Sequence, residues 1–135
     1  MPGAPDILAP PKMSDPGQIV AQGLSPCERE CGSVDGSTLL LPNIETARGL
    51  IATAAIAGAS SRVMACLIGS EDLAADLGAE RRVDGIELAN ARQRFLLECV
   101  AAWVVAVDCP RTRRDADGLA ADTRWARRPV YKARL

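Results

Sequence analysis

Histidine is absent from the 135 residues, so a zinc site would have only thiolates and carboxylates to work with. Aromatic residues are scarce as well, at 3% of a chain that is 48% hydrophobic. The apolar content is mostly Ala, Leu, Val and Ile, a balance that suits helices packed on strands. Neither sign of charge dominates, with 17 acidic against 16 basic residues, which leaves no global field to draw the protein to nucleic acid or to an anionic membrane. Partners must therefore be taken at a site. No segment approaches 18 consecutive apolar residues, so no membrane span is expected. Residues 1–16 hold five prolines and no apolar run long enough for a secretory leader, and the cytoplasm is the expected compartment.

The five cysteines, Cys27, Cys31, Cys66, Cys99 and Cys109, are an odd number without regular spacing. Three lie in or beside apolar runs, where a free thiol behaves as a small hydrophobe. Cys27 and Cys31, four apart, fit one helix face. At this length one domain with a sizeable core is expected.

What is present alternates between two periods. Short continuous apolar runs occur at Ile7-Leu8-Ala9, Thr38 to Ile44, Val63 to Ile68 and Val104 to Val107, as buried parallel strands do. Between them the spacing predicts helices over 15–30, 46–58, 71–78 running on through 85–102, and 116–128. In the third, Ile86, Ala89, Leu96, Leu97 and Val100 form the expected apolar face. Gly58 and Gly78 are expected helix stops, and Asp84-Gly85 a turn in the longest connection. Strand and helix in alternation imply α/β with a parallel sheet, either doubly wound or part of a (β/α)₈ barrel. A complete barrel needs about 250 residues. The C-terminal stretch "RWARRPVYKARL" reads as a helix stopped at Pro129 and a solvated basic tail, residues 129–135, without the aromatic array of a nucleic-acid stacking platform. The Pro-rich start, residues 1–16, is expected to be extended or frayed around the first strand.

In parallel α/β folds functional groups collect at the C-terminal ends of strands. Three carboxylate positions fall there: Glu45 after "LLLPNI", Glu71-Asp72 after "ACLIGS", and Asp108 in "VVAVDCP". Each alone can be a first-turn acid stabilised by a helix dipole, with Ser70 an N-cap. Together on neighbouring strand ends they would repel one another unless a cation sat between them, and an all-oxygen set suits Mg²⁺ or Mn²⁺.

The wording of these segments carries more. "LLPNIETARGL", "MACLIGSEDLAADLGA" and "VVAVDCPRTRRDADGLAADTRWAR" resemble, in order, segments of the HpcH/HpaI aldolase and citrate lyase β-subunit family, which includes the malyl-CoA lyases. The resemblance runs from about Asp6, where "DILAPPK" is similar to a family strand ending in Pro-Lys, to about Arg128, and is loose over 17–37. Its most specific part is Ile44-Glu45-Thr46 followed 27 positions later by the Asp of "GSEDL".

The resemblance implies a partial (β/α)₈ TIM barrel of about four consecutive βα units, spanning 6–128. It implies a lyase whose Mg²⁺ is held by Glu45 and Asp72 and which cleaves or forms a citryl- or malyl-type coenzyme A thioester, giving acetyl-CoA and a 2-oxo acid. Substrate binding by Glu45, Gly69, Ser70, Glu71 and Asp72 is implied too, with backbone N–H groups of residues 69–71 on the substrate carboxylate, and a thioester-binding role for Asp108. The family's substrate-contacting Arg and C-terminal acid have no counterpart here, so catalytic residues beyond the metal ligands are not assigned. About half a barrel, with open apolar edges, is expected to form a homo-oligomer or to pair with a complementing chain. The alternative is a truncated, catalytically silent lyase-like fragment or interaction module.

Overall fold

The computed structural model describes residues 5–110, 112, 115–127 and 131–134. Its strands are β1 (Ile7–Leu8), β2 (Leu39–Leu40), β3 (Asn43–Ile44), β4 (Ala65–Ile68), β5 (Val105–Asp108) and β6 (Ala133–Arg134). Its helices are α1 (Pro16–Val20), α2 (Leu24–Glu30), α3 (Ala47–Ile51), α4 (Thr53–Gly58), α5 (Ser70–Asp76), α6 (Ala89–Ala101) and α7 (Ala116–Arg127). Every pairing is parallel: β1 with β2, then β3 with β4, β4 with β5, and β5 with β6.

β2 and β3 are one strand path, matching the predicted run Thr38 to Ile44, interrupted where Pro42 has no N–H to donate. The ladder continues around it. Leu41 and Asn43 donate to the carbonyls of Leu8 and Pro10, and the Pro42 carbonyl accepts from Leu67 N–H at 2.9 Å. Spatial order therefore follows chain order with no reversal. A doubly wound sheet requires a reversal at its switch point; winding in one direction is that of a (β/α)₈ barrel, of which four βα units and a following strand are seen.

Strand parity separates two layers. Ile44, Cys66, Ile68 and Ala106 pack with Ile56, Leu73, Phe95 and Cys99 between sheet and helices, in the main core. Ala65, Leu67 and Val107, with Leu41, form a smaller cluster on the opposite face, the barrel interior. Cys66, Cys99 and Cys109 are buried as expected of small hydrophobes, whereas Cys27 and Cys31 are exposed. The Cys99 thiol is pushed up by the Cys66 thiol beside it and by burial.

Several predicted elements are placed differently. The segment 15–30 is two helices, separated at Gly23, whose φ of 55° is left-handed. The long run from 71 to 102 is also divided: α5 gives way after Asp76, Gly78 and Gly85 take φ of 64° and 65°, and a 3₁₀ turn over Ile86–Leu88 precedes α6. The apolar face expected of α6 is only partly the one that docks, through Leu96, which packs against the core. Leu88, Ala91, Phe95 and Cys99 are buried, while Ile86, Leu97 and Val100 face out. The winning stripe includes Arg92, a charge that is buried because it has a partner.

The C-terminal stretch is not a solvated tail. β6 extends the sheet, with Val107 opposite Ala133, and Tyr131 is buried, its ring stacked on Phe95 at 6.4 Å between centroids. Burial, with the neighbouring Asp108 charge, holds the Tyr131 hydroxyl well above its ordinary range. The expected stop at Pro129 and the start Met1 to Ala4 lie outside the described residues. No helix among the described residues is long and apolar enough to cross a membrane.

Candidate metal centre

Glu45 ends the β3 path and is followed by Thr46, the N-cap of α3, whose Oγ1 accepts from Gly49 N–H at 3.0 Å. Parity puts Glu45 on the same face as Leu41 and Asn43, toward the barrel interior. Two contacts fix its carboxylate. Lys12 N–H donates to Oε2 at 3.0 Å, and the side-chain stem lies across Gly69 on the neighbouring strand path, so closely that a Cβ at position 69 would fall 2.6 Å from Glu45 Cγ. Glycine is required there by close approach, not by its dihedral angles.

Asp72 is in the first turn of α5, and Lys12 Nζ is 3.3 Å from its Oδ1. Both expected metal ligands thus contact a single lysine, Glu45 at its backbone N–H and Asp72 at its ammonium. α5 has no side-chain cap: Gly69 occupies the N-cap position, and Ser70 is already inside the helix. Ser70 is buried with its Oγ unpartnered, so it is not the capping residue its sequence position suggested. The Gly69 N–H is not available to a substrate either, because it donates to the Ile44 carbonyl at 2.9 Å. The N–H groups of Ser70, Glu71 and Asp72 remain as the open donors of the first turn.

Glu71 points elsewhere. Its Oε1 accepts from Thr112 Oγ1 at 3.0 Å and from Arg81 Nε at 3.2 Å, at the mouth of a cavity of about 200 Å³ lined also by Arg82, Leu88, Arg92 and Pro110. Arg81 reaches Glu87 too.

Asp108 does not join Glu45 and Asp72. It is fully buried and shares parity with Ala106, toward the helices. There Arg92 of α6 meets both carboxylate oxygens, Nε at 3.0 Å from Oδ1 and Nη2 on Oδ2. Arg92 also stacks on Trp125 of α7, 3.8 Å from the ring centroid, and its carbonyl accepts from Tyr131 Oη. The Arg92 guanidinium is held above its ordinary range because this pairing outweighs burial, which is the largest single influence and acts downward. Of the three strand-end carboxylates, two contact Lys12 and the third braces β5, α6, α7 and the approach to β6.

A second buried charge, unanticipated from sequence, sits far along the chain from these. Glu28 of α2 accepts from Arg62 at 2.7 and 2.8 Å and from the N–H groups of Gly36 and Thr38 at 2.8 and 2.6 Å. The Arg62 guanidinium holds the Glu28 carboxyl well below the usual carboxylate range. No motif signals it, since its three partner residues lie 8, 10 and 34 positions away.

The donor set fits a hard divalent cation. Two carboxylates from adjacent βα units both contact Lys12, Glu45 at its backbone N–H and Asp72 at its ammonium, and Mg²⁺ characteristically takes one or two carboxylates and completes its shell with water and substrate oxygens. Among the described residues no group of three or more acidic or sulfur ligands forms a fuller cage.

The same arrangement of strands is found in known proteins. The family model for HpcH/HpaI aldolase/citrate lyase matches residues 3–126. The citrate lyase β subunit of Haemophilus influenzae is 33% identical over 105 residues, 76% of this chain and 36% of the relative; that of Leuconostoc mesenteroides is 30% identical over 121 residues, 87% and 40%. RipC from Yersinia pestis superposes with a TM-score of 0.82 at 28% identity, over 98% of this chain and 58% of that one. The citrate lyase β subunit from Mycobacterium tuberculosis complexed with oxaloacetate and magnesium superposes with a TM-score of 0.76 at 26% identity, over 96% and 54%. This chain thus spans somewhat over a third of the length of the curated relatives and about half that of these solved structures. The chain belongs to the HpcH/HpaI aldolase/citrate lyase family.

Proposed function

We propose that this chain carries the metal- and oxo-acid-binding part of a Mg²⁺-dependent carbon–carbon lyase of the citrate lyase β-subunit type. Its reaction breaks or forms the bond next to a carbonyl in a citryl- or malyl-type CoA thioester, with acetyl-CoA and a 2-oxo acid on the other side. The observation that carries this reading is the meeting of Glu45 and Asp72 through Lys12 at adjacent strand ends. Relatives support it: structures from M. tuberculosis hold magnesium with oxaloacetate, and magnesium with acetoacetate and coenzyme A.

Glu45 and Asp72 would hold Mg²⁺ (or Mn²⁺), which when bound supplies Lewis-acid stabilisation of enolate-like charge and a template for the oxo acid. This chain's own groups do the rest of the positioning. Glu45 is kept in one orientation by Lys12 N–H and by the absence of a side chain at Gly69. The open N–H groups of Ser70 and Glu71 suit a substrate carboxylate, being uncapped donors next to Glu45. Asp108 keeps the rim in shape through Arg92.

The test is cleavage of citryl-CoA and malyl-CoA by the purified protein with Mg²⁺, alone and after mixing with a chain bearing the unmatched part of a relative. Acetyl-CoA release that disappears with EDTA and in Glu45→Ala is expected. Metal binding without cleavage under either condition would instead mark the chain as a silent binding module.

A further inference from the structure

Lys12 makes two contacts of different kind to the two carboxylates, and they respond differently to a metal. Its backbone N–H, 3.0 Å from Glu45 Oε2, is independent of its side chain. Its ammonium, 3.3 Å from Asp72 Oδ1, occupies a carboxylate oxygen that a divalent cation would need. Lys12 also takes a left-handed φ of 51°, one of only two non-glycine residues among those described to do so. That conformation is disfavoured by about 1–2 kcal/mol for a side chain with a Cβ, so local preference alone does not place Lys12 there. It lies at the bend after Pro10-Pro11, where Met13 N–H is drawn to the Asn43 carbonyl at 3.0 Å. The bend points the N–H of Lys12 at Glu45 and its side chain at Asp72.

We infer that Lys12 is a displaceable internal counter-ion: its ammonium neutralises Asp72 while no metal is bound and is expelled from Asp72 when a divalent cation enters. The inference rests on the metal reading above. Its physical basis is charge. Two carboxylates lie at neighbouring strand ends, the ammonium offsets the charge of Asp72, and the same ammonium repels an arriving Mg²⁺ and competes for Asp72 Oδ1. The ion pair is solvent-exposed on both sides, and exposed pairs are weak, so the competition is modest, about two- to fivefold in affinity.

The test is Mn²⁺ binding, followed by calorimetry and by the electron paramagnetic resonance of free Mn²⁺, in the wild-type chain, Lys12→Met and Lys12→Arg. Lys12→Met keeps the backbone N–H and the apolar stem and removes only the charge. It is expected to bind Mn²⁺ about two- to fivefold more tightly than wild type, while Lys12→Arg stays near wild type. A second readout separates this from a structural role. Without metal Lys12→Met melts below wild type, and saturating Mn²⁺ closes the gap. Equal or weaker Mn²⁺ binding by Lys12→Met overturns the inference and leaves the metal reading standing. Binding by neither protein overturns both.

Discussion

At the scale of single residues, charge pairing and close approach decide which acids are available for chemistry. Asp108 and Glu45 both end strands on apolar runs, but one residue of parity sends Asp108 into the helix layer and Glu45 to the interior. Asp108→Ala is therefore expected to destabilise the protein by about 3–5 kcal/mol, the usual cost of leaving a buried partner charge unpaired, measured by urea unfolding. A loss confined to thioester affinity with unchanged stability would restore the role inferred from resemblance. At Gly69 the effect is local: Gly69→Ala forces the Glu45 stem aside and is expected to weaken Mg²⁺ binding by about 10- to 100-fold, as disturbed ligand orientation commonly does. Glu28 gives a pH signature. Its carboxyl is depressed in the folded state, so its contribution to stability is complete above the ordinary glutamate range and is lost as pH falls through the folded value. Thermal melts from neutral to acid pH should fall less steeply in Glu28→Gln than in wild type. Glu45 and Asp72 were legible from sequence because motif and spacing coincide; Lys12, Arg92 and Arg62 were not, because their partners are 33, 16 and 34 positions away.

At the scale of elements, the strands were the most legible part, since buried parallel strands are continuous apolar runs whatever their exact pairing. The helices were less so. In α6 the apolar count alone favoured Ile86, Leu97 and Val100, yet the face that docks is Leu88, Ala91, Phe95 and Cys99, with Arg92 in the middle of it. A pattern of hydrophobicity cannot reveal a stripe whose central member is an arginine held by Asp108 and Trp125. The two faces make opposite predictions. Phe95→Ala is expected to cost about 3–5 kcal/mol, whereas Leu97→Ala and Val100→Ala should each stay within about 0.5 kcal/mol of wild type, all by chemical denaturation. β6 escaped notice for a related reason: "VYKARL" is short and basic, and its strand character comes from the β5 edge it pairs with. The capping contact between Asp76 Oδ2 and Ala47 N–H, 2.7 Å, ties α5 to α3 across the rim and explains how two short helices hold the acids still.

At the scale of the whole molecule, five successive parallel strand positions wound in one direction present one face to helices and the other to a barrel interior covered only in part. Val105, which shares parity with Val107, is 37% exposed on that interior face, and β1 and β6 are paired on one side only among the described residues. On the proposed reading Glu45 and Asp72 together hold one divalent cation, independently of assembly or turnover. Titration calorimetry with Mg²⁺ on wild type, Glu45→Ala and Asp72→Ala tests it most directly. One saturable site in wild type, lost in both variants while their far-ultraviolet circular dichroism is unchanged, is the predicted result; equal Mg²⁺ binding in wild type and Glu45→Ala would contradict it.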